Sequence, residues 1–279
     1  MTSPILAART IIAAKWTFRF ELAMTGLSLF SGIGGLDLAA EMAGIQTVAM
    51  CEKDPFCRRV LCKHWPDVPI YEDVFELRGE DVGPVDVIHG GFPCQPFSVA
   101  GRQRGQKDER YLWPEFSRLV EEIGPRWVVA ENVPGILTLA ADDVCKDLER
   151  LDYSVGIWHF EAAAVRAPHR RARVFFVGYS DCQGLSIAQR CRENAERTGG
   201  GATCRASWWS AEPDVGRGLD GLYPWLDGNW ERGIPRTAVG VKDRVNRLRA
   251  LGNAVVPQQA YPIFAAIAET EKQNRGVNH

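Results

Sequence analysis

From Gly26 to Tyr179 short runs of aliphatic and β-branched residues alternate with stretches whose apolar positions recur at helical spacing. The pattern predicts strands at Leu27–Phe30, Thr47–Cys51, Val85–His89, Trp127–Glu131, Ser154–Phe160 and Arg173–Tyr179. Helices are expected between them, at Leu36–Met42, Pro55–His64, Leu112–Ile123 and Val144–Leu151. Strand and helix in alternation are the signature of an α/β fold with a mostly parallel sheet and crossover helices. The regularity breaks after Ser180, where Gly, Arg, Ser, Thr and Trp dominate to about Gly240. It returns at Arg247–Val256, and a final helix is expected over Gln258–Glu269, followed by a disordered polar tail.

The expected organisation is a dispensable extension over 1–26, with Met24 an alternative start, and an α/β domain over 27–178. A small irregular region over 179–245 follows, then a segment over 246–270 that completes the α/β domain, and a tail over 271–279.

A chain of 279 residues, 46% of them hydrophobic, can bury a substantial core. No apolar run reaches the roughly eighteen residues of a membrane span, and no signal peptide is evident, so no membrane partner is expected. The eight cysteines lack CxxC spacing, which argues against a zinc ribbon or disulfide framework and for a reducing cytoplasm, with no metal. The net charge of −2 argues against an indiscriminate nucleic-acid coat protein. Arginines nevertheless cluster at Arg102 and Arg104, at Arg170, Arg171 and Arg173, and at Arg244, Arg247 and Arg249, which favours a polyanionic substrate.

Candidate chemistry gathers at strand ends. Gly90 to Ser98 reads GGFPCQPFS and holds Cys94 between Pro93 and Pro96 directly after an apolar strand, the position of a nucleophile. The plainer reading of a lone cysteine is packing. Phe30 to Gly35 reads FSGIGG, with Gly32, Gly34 and Gly35 in a turn between strand and helix where a ligand can approach the backbone. Glu52 ends the next strand and can accept hydrogen bonds from a ribose diol, and Asp73, after a third possible strand, can face an adenine amino group. The turn is neither GxGxxG nor a P-loop, so a nucleoside without pyrophosphate fits better. Glu131 ends a buried strand in ENVPG, and a helix-capping acid is the plainer alternative. Arg171 and Arg173 alternate, so in an extended segment they would share a face and reach one anion or carbonyl oxygen.

With FSGIGG, Glu52, GGFPCQPFS, ENVPG, the segment APHRRAR and finally RALGNAVVP in that order, the chain resembles the C5-cytosine DNA methyltransferases from Leu27 to about Ala268. The resemblance implies a Rossmann-like S-adenosylmethionine-dependent methyltransferase fold with a small irregular target-recognition region. It implies S-adenosyl-L-methionine as cofactor, held by Phe30, the glycine turn, Glu52, Asp73 and Asn253, and double-stranded DNA as substrate. Cys94 would add to C6 of a flipped cytosine, Glu131 would bind its N3 and N4 edge, Arg173 its O2, and Arg171 would support the site. Ser98, Arg102 and Arg104 would lie on the DNA backbone. His169 stands where the family usually has Gln, and Lys53 where it often has an apolar or aromatic residue. Monomeric action is expected, and the sequence leaves open whether a cognate restriction endonuclease acts beside it. Methylation of tRNA cytosine, and a silent binding relative, remain the alternatives.

Overall fold

The computed structural model of the chain describes residues 24–93, 111–167, 169–180 and 242–276. Its centre is a seven-stranded sheet built from β1 (Met24–Leu29), β2 (Ile45–Cys51), β3 (Ile70–Tyr71), β4 (Val87–Gly91), β5 (Trp127–Asn132), β6 (Ser154–Phe160) and β7 (Arg173–Tyr179). The strand order is β3-β2-β1-β4-β5-β7-β6. Strands β1 to β5 pair in parallel, whereas β7 runs antiparallel to both β5 and β6. The mostly parallel sheet is what the alternating pattern predicts, and its Rossmann-like arrangement is what the resemblance implies. The order reverses between β1 and β4, and that switch point opens a crevice beyond the carboxyl ends of the strands.

Helices cover both faces. On one side α4 (Trp113–Ile123) and α6 (Ala141–Arg150) bury Phe116, Leu119, Val120, Val144 and Leu148 against Leu27, Leu29, Ile88 and Val128. On the other, α1 (Gly35–Met42) and α8 (Pro257–Gly276) pack Ala39, Ala40, Ile263, Phe264 and Ile267 on Val87, Val129, Phe175 and Val177. The sheet residues split by parity because successive side chains leave opposite faces. The remaining helices are α2 (Pro55–His64), the short α3 (Gly79–Val82) and α5 (Ile136–Leu139), and α7 (Arg244–Asn253). Asp54 starts α2 as its cap, accepting from the amides of Phe56 and Cys57, with Pro55 pre-set for the first turn.

Several boundaries differ from the sequence expectation; β2 starts at Ile45 rather than Thr47, and β4 runs Val87–Gly91 rather than Val85–His89. Strand β1 begins at Met24, which is buried and pairs with Ile45, so Met24 to Gly26 belong to the sheet rather than to an extension. Helix α8 runs on to Gly276 instead of ending at Glu269 and giving way to a tail over 271–279. The cause is Glu271, buried at 4% exposure, which accepts from the Trp127 indole at 3.0 Å and from Arg126 at 3.0 Å. The arginine segment is also not one extended strand: β7 starts at Arg173, and Arg171 lies outside it with φ 37°. Among the described residues no helix is long and apolar enough to cross a membrane.

Candidate active site

A cavity of about 580 Å³ opens at the carboxyl-end rim, within the size range of small-molecule sites. Its floor is the turn after β1, where Phe30, with φ 53°, Ser31, Gly32 and Gly35 line the space. Glu52, one residue past β2, closes one side. Both of its carboxylate oxygens are used: Oε2 accepts from the Gly32 amide and Oε1 from the Asp54 amide, each at 2.7 Å. These bonds lock the carboxylate toward the cavity, while burial raises its pKa.

Two glycines in this region act by letting other groups come close. A Cβ on Gly35 would fall 2.9 Å from the Val255 carbonyl oxygen, so the segment returning after α7 can lie directly on the turn. That segment supplies Gly252, Asn253, Ala254 and Val255 to the cavity. A Cβ on Gly91, the last residue of β4, would fall 2.5 Å from Glu131 Oε2. Small size at this position is what admits the Glu131 carboxylate.

At the far end of the cavity Glu131, 8% exposed, pairs with Arg173, whose Nε lies 2.7 Å from Oε1. The antiparallel course of β7 explains the pairing. Its first residue arrives at the rim where β5 ends, with Asn132 opposite Val174 and Glu131 opposite Phe175. Burial pushes the Glu131 pKa up to about 7, partly offset by Arg173 and then Arg171. A carboxyl so placed can exchange a proton near neutral pH while sitting against a fixed cation. Beside it, buried Asn132 donates from Nδ2 to the Phe92 carbonyl at 3.0 Å and ties the end of β5 to the Phe92-Pro93 segment. Pro93 also lines the cavity. The residues expected at the nucleophile and on the DNA backbone, Cys94, Ser98, Arg102 and Arg104, lie outside the described residues.

Phe30, Gly32, Gly35, Glu52, Asn253, Glu131 and Arg173 thus converge on one cavity, as the sequence leads one to expect. Three expected residues stand apart from its lining. Gly34 packs under the Trp65 ring, where a Cβ would collide. Asp73 is held by Lys53 at 3.3 Å and accepts from the Phe75 amide. Arg171 does not share a face with Arg173; its Nη2 donates to the carbonyls of Gly252 at 2.6 Å and Ala254 at 2.5 Å. Sequence reasoning missed Asn132 and Gln259. The first sits inside ENVPG, a signal that could have exposed it; the second is a polar position at the start of α8 with no local signature. Arg249, singled out in the sequence only as part of an arginine cluster and of RALGNAVVP, also lines the cavity. The residues present suit a nucleoside cofactor: a fixed carboxylate at Glu52, and apolar walls at Phe30, Leu36 and Val255. Among the described residues no cluster of His, Cys, Asp and Glu could hold a metal ion.

The family model for C-5 cytosine-specific DNA methylases matches residues 24–198. The type II methyltransferase M.FnuDI of Fusobacterium nucleatum is 39% identical over 158 residues, covering 55% of this chain and 46% of the relative. The type II methyltransferase M.NgoMIV of Neisseria gonorrhoeae is 37% identical over 159 residues, covering 55% and 51%. The chain therefore spans about half the length of these two relatives. Among solved structures, a protein described as a DNA modification methyltransferase encoded within an E. coli prophage aligns with TM-score 0.50 and 31% identity, over 57% of this chain and 47% of the other. A Spodoptera frugiperda DNMT2 mutant aligns with TM-score 0.50 over 57% of this chain and 50% of its own, at 20% identity, a likeness of fold.

Proposed function

Because the chain belongs to the C-5 cytosine-specific DNA methylase family, we propose that it transfers a methyl group from S-adenosyl-L-methionine to C5 of a cytosine in double-stranded DNA. The observation that carries this reading is the Glu131–Arg173 pair, 2.7 Å apart, at the end of a cavity whose other end presents Glu52. When bound, the cofactor supplies an electrophilic methyl group. Phe30, Leu36 and Val255 would hold its apolar parts, Glu52 its ribose hydroxyls, and Asn253 would close the wall.

The target base is unreachable while stacked, so it must enter the cavity flipped out of the duplex. Cys94, the residue after Pro93, adds as thiolate to C6, forming the S–C6 bond and pushing electron density to C5. Glu131 in its protonated form donates to N3 and offsets the charge developing on the ring; its pKa of about 7 keeps that form populated near neutrality. Arg173 lies against the same ring edge at O2. After C5 is methylated, a base removes the C5 proton, the electron pair re-forms the C5–C6 double bond, and the Cys94 thiolate leaves. Ser98, Arg102 and Arg104, in the segment after the nucleophile, would contact backbone phosphates.

The test is transfer of radiolabelled methyl from S-adenosyl-L-methionine to plasmid DNA, with nucleoside digestion and transfer RNA as the competing acceptor. Label in 5-methyldeoxycytidine supports the reading. Label confined to the RNA overturns it.

A further inference from the structure

We propose that Arg171 is a positioning residue of the cofactor wall rather than a contact of the target base, and that buried Gln259 holds it there. The inference rests on the methyltransferase reading above.

Arg171 is not among the cavity-lining residues, yet it grips the ones that are. Its Nη2 donates to the carbonyls of Gly252 and Ala254, which flank Asn253, and all three line the cavity. These carbonyls lie at the C-terminal end of α7, where backbone oxygens lack partners within the helix and carry partial negative charge, so a guanidinium is the matching group. The grip depends on an unusual backbone, since Arg171 has φ 37°, a left-handed conformation that side chains other than glycine seldom adopt. Gln259 stabilises it. Fully buried in the first turn of α8, its Nε2 donates to the Arg171 carbonyl at 3.0 Å and to the Phe160 carbonyl at 2.6 Å.

The contacts close a ring. The chain passes from α7 through Ala254–Val256 into α8, Gln259 holds the Arg171 backbone, and the Arg171 side chain returns to the end of α7. The short segment carrying Asn253 and Val255 is therefore fastened at both ends to the strand system bearing Arg173. Glu131 and Arg173 need no such help, because they are set by the pairing of β5 with β7 and by their own ion pair. Loss of the Arg171 side chain should slacken the cofactor wall and leave the Glu131 end in place.

The experiment is calorimetric binding of S-adenosyl-L-methionine and S-adenosylhomocysteine to wild type, Arg171→Ala, Arg171→Lys and Arg173→Ala, each checked for folding by circular dichroism. Arg171→Ala should bind both ligands about tenfold or more weakly, Arg171→Lys should recover part of the loss, and Arg173→Ala should bind within about threefold of wild type. In steady-state transfer the KM for S-adenosyl-L-methionine should rise in Arg171→Ala while kcat at saturating cofactor changes less than about threefold, and Arg173→Ala should show the reverse split. Wild-type cofactor affinity in folded Arg171→Ala, with kcat lost, would overturn the assignment. Should Arg171→Ala fail to fold, Arg171→Lys carries the same comparison: wild-type affinity with reduced kcat overturns, weakened affinity with retained kcat supports. Failure of the wild type itself to bind S-adenosyl-L-methionine would instead strike down the methyltransferase reading, and the inference with it.

Discussion

The Glu131 carboxylate and the Arg173 guanidinium meet at 2.7 Å because β5 ends where the antiparallel β7 begins. One strand of opposite direction in a mostly parallel sheet thus delivers a cation to the rim that the parallel strands supply with acids and turns.

Burial of Glu131, against the smaller opposing effect of Arg173, makes stability depend on pH in a definite direction. Burial raises the Glu131 pKa from 4.5 to about 7, so the folded state holds this proton more tightly than the unfolded chain does. The contribution is complete below the unfolded value and is lost as pH rises through the folded one. Glu131→Gln, which mimics the protonated side chain, should therefore gain in melting temperature relative to wild type between about pH 4.5 and pH 7. Thermal melts of both proteins across that window check this, and a constant difference would contradict it. The same variant should transfer methyl groups far more slowly, because an amide cannot pass a proton to the ring.

The two glycines ending β4 should respond differently to alanine. A Cβ on Gly90 would collide with the Leu29 carbonyl, which belongs to the backbone of β1 and cannot give way cheaply, whereas one on Gly91 meets the Glu131 carboxylate. Gly90→Ala should lose roughly 1–3 kcal/mol of stability or more, by analogy with overpacked cores. Gly91→Ala should stay folded and bind cofactor, yet lose about 10- to 100-fold in kcat as Glu131 is displaced. Urea denaturation and single-turnover transfer separate the two.

Glu52 is held by the amides of Gly32 and Asp54 before any ligand arrives. Glu52→Ala should weaken S-adenosyl-L-methionine by about tenfold or more through the loss of charge-assisted bonds to the ribose, with DNA affinity unchanged. Filter binding of DNA beside calorimetry of the cofactor reads both quantities, and equal loss of the two would contradict the placement.

Helix α8 anchors the sheet from the C-terminal side. Truncation before Glu271 leaves Arg126 and the Trp127 indole without their carboxylate partner, and should cost about 2–5 kcal/mol. Chemical denaturation of the shortened chain measures it; stability within about 0.5 kcal/mol of full length would show the anchor to be idle.

How far the sequence reached depends on the range of each interaction. β6 and β7 match the expected bounds because β-branched and aromatic residues fill them and their patterning is local. That Phe30, Glu52 and Glu131 share one cavity is legible because strand ends in a parallel sheet share an edge, so position along the chain translates into position on the rim. Met24 to Gly26 escaped because Thr25 and Gly26 do not read as a strand, and pairing with Ile45 and Val87 is what draws them in. Arg171 reads as extended in the sequence because alternation with Arg173 is all that local spacing offers. Its partners lie 81 and 83 residues away, and nothing near it in the chain announces them. Buried Asp37 and His89 are equally silent: the carboxyl takes hydrogen bonds from Ser28 and Thr47, and burial holds the imidazole at about 3, neutral in the core.

The most direct test of the account is to express the wild type and Cys94→Ala in a host lacking cytosine methylation and to map 5-methylcytosine in the host DNA by base-resolution sequencing. The account predicts 5-methylcytosine at a short recurring sequence in cells making the wild type, and none in cells making the variant. Methylation that persists in Cys94→Ala, or a wild type that binds S-adenosyl-L-methionine and leaves the DNA unmarked, would contradict it.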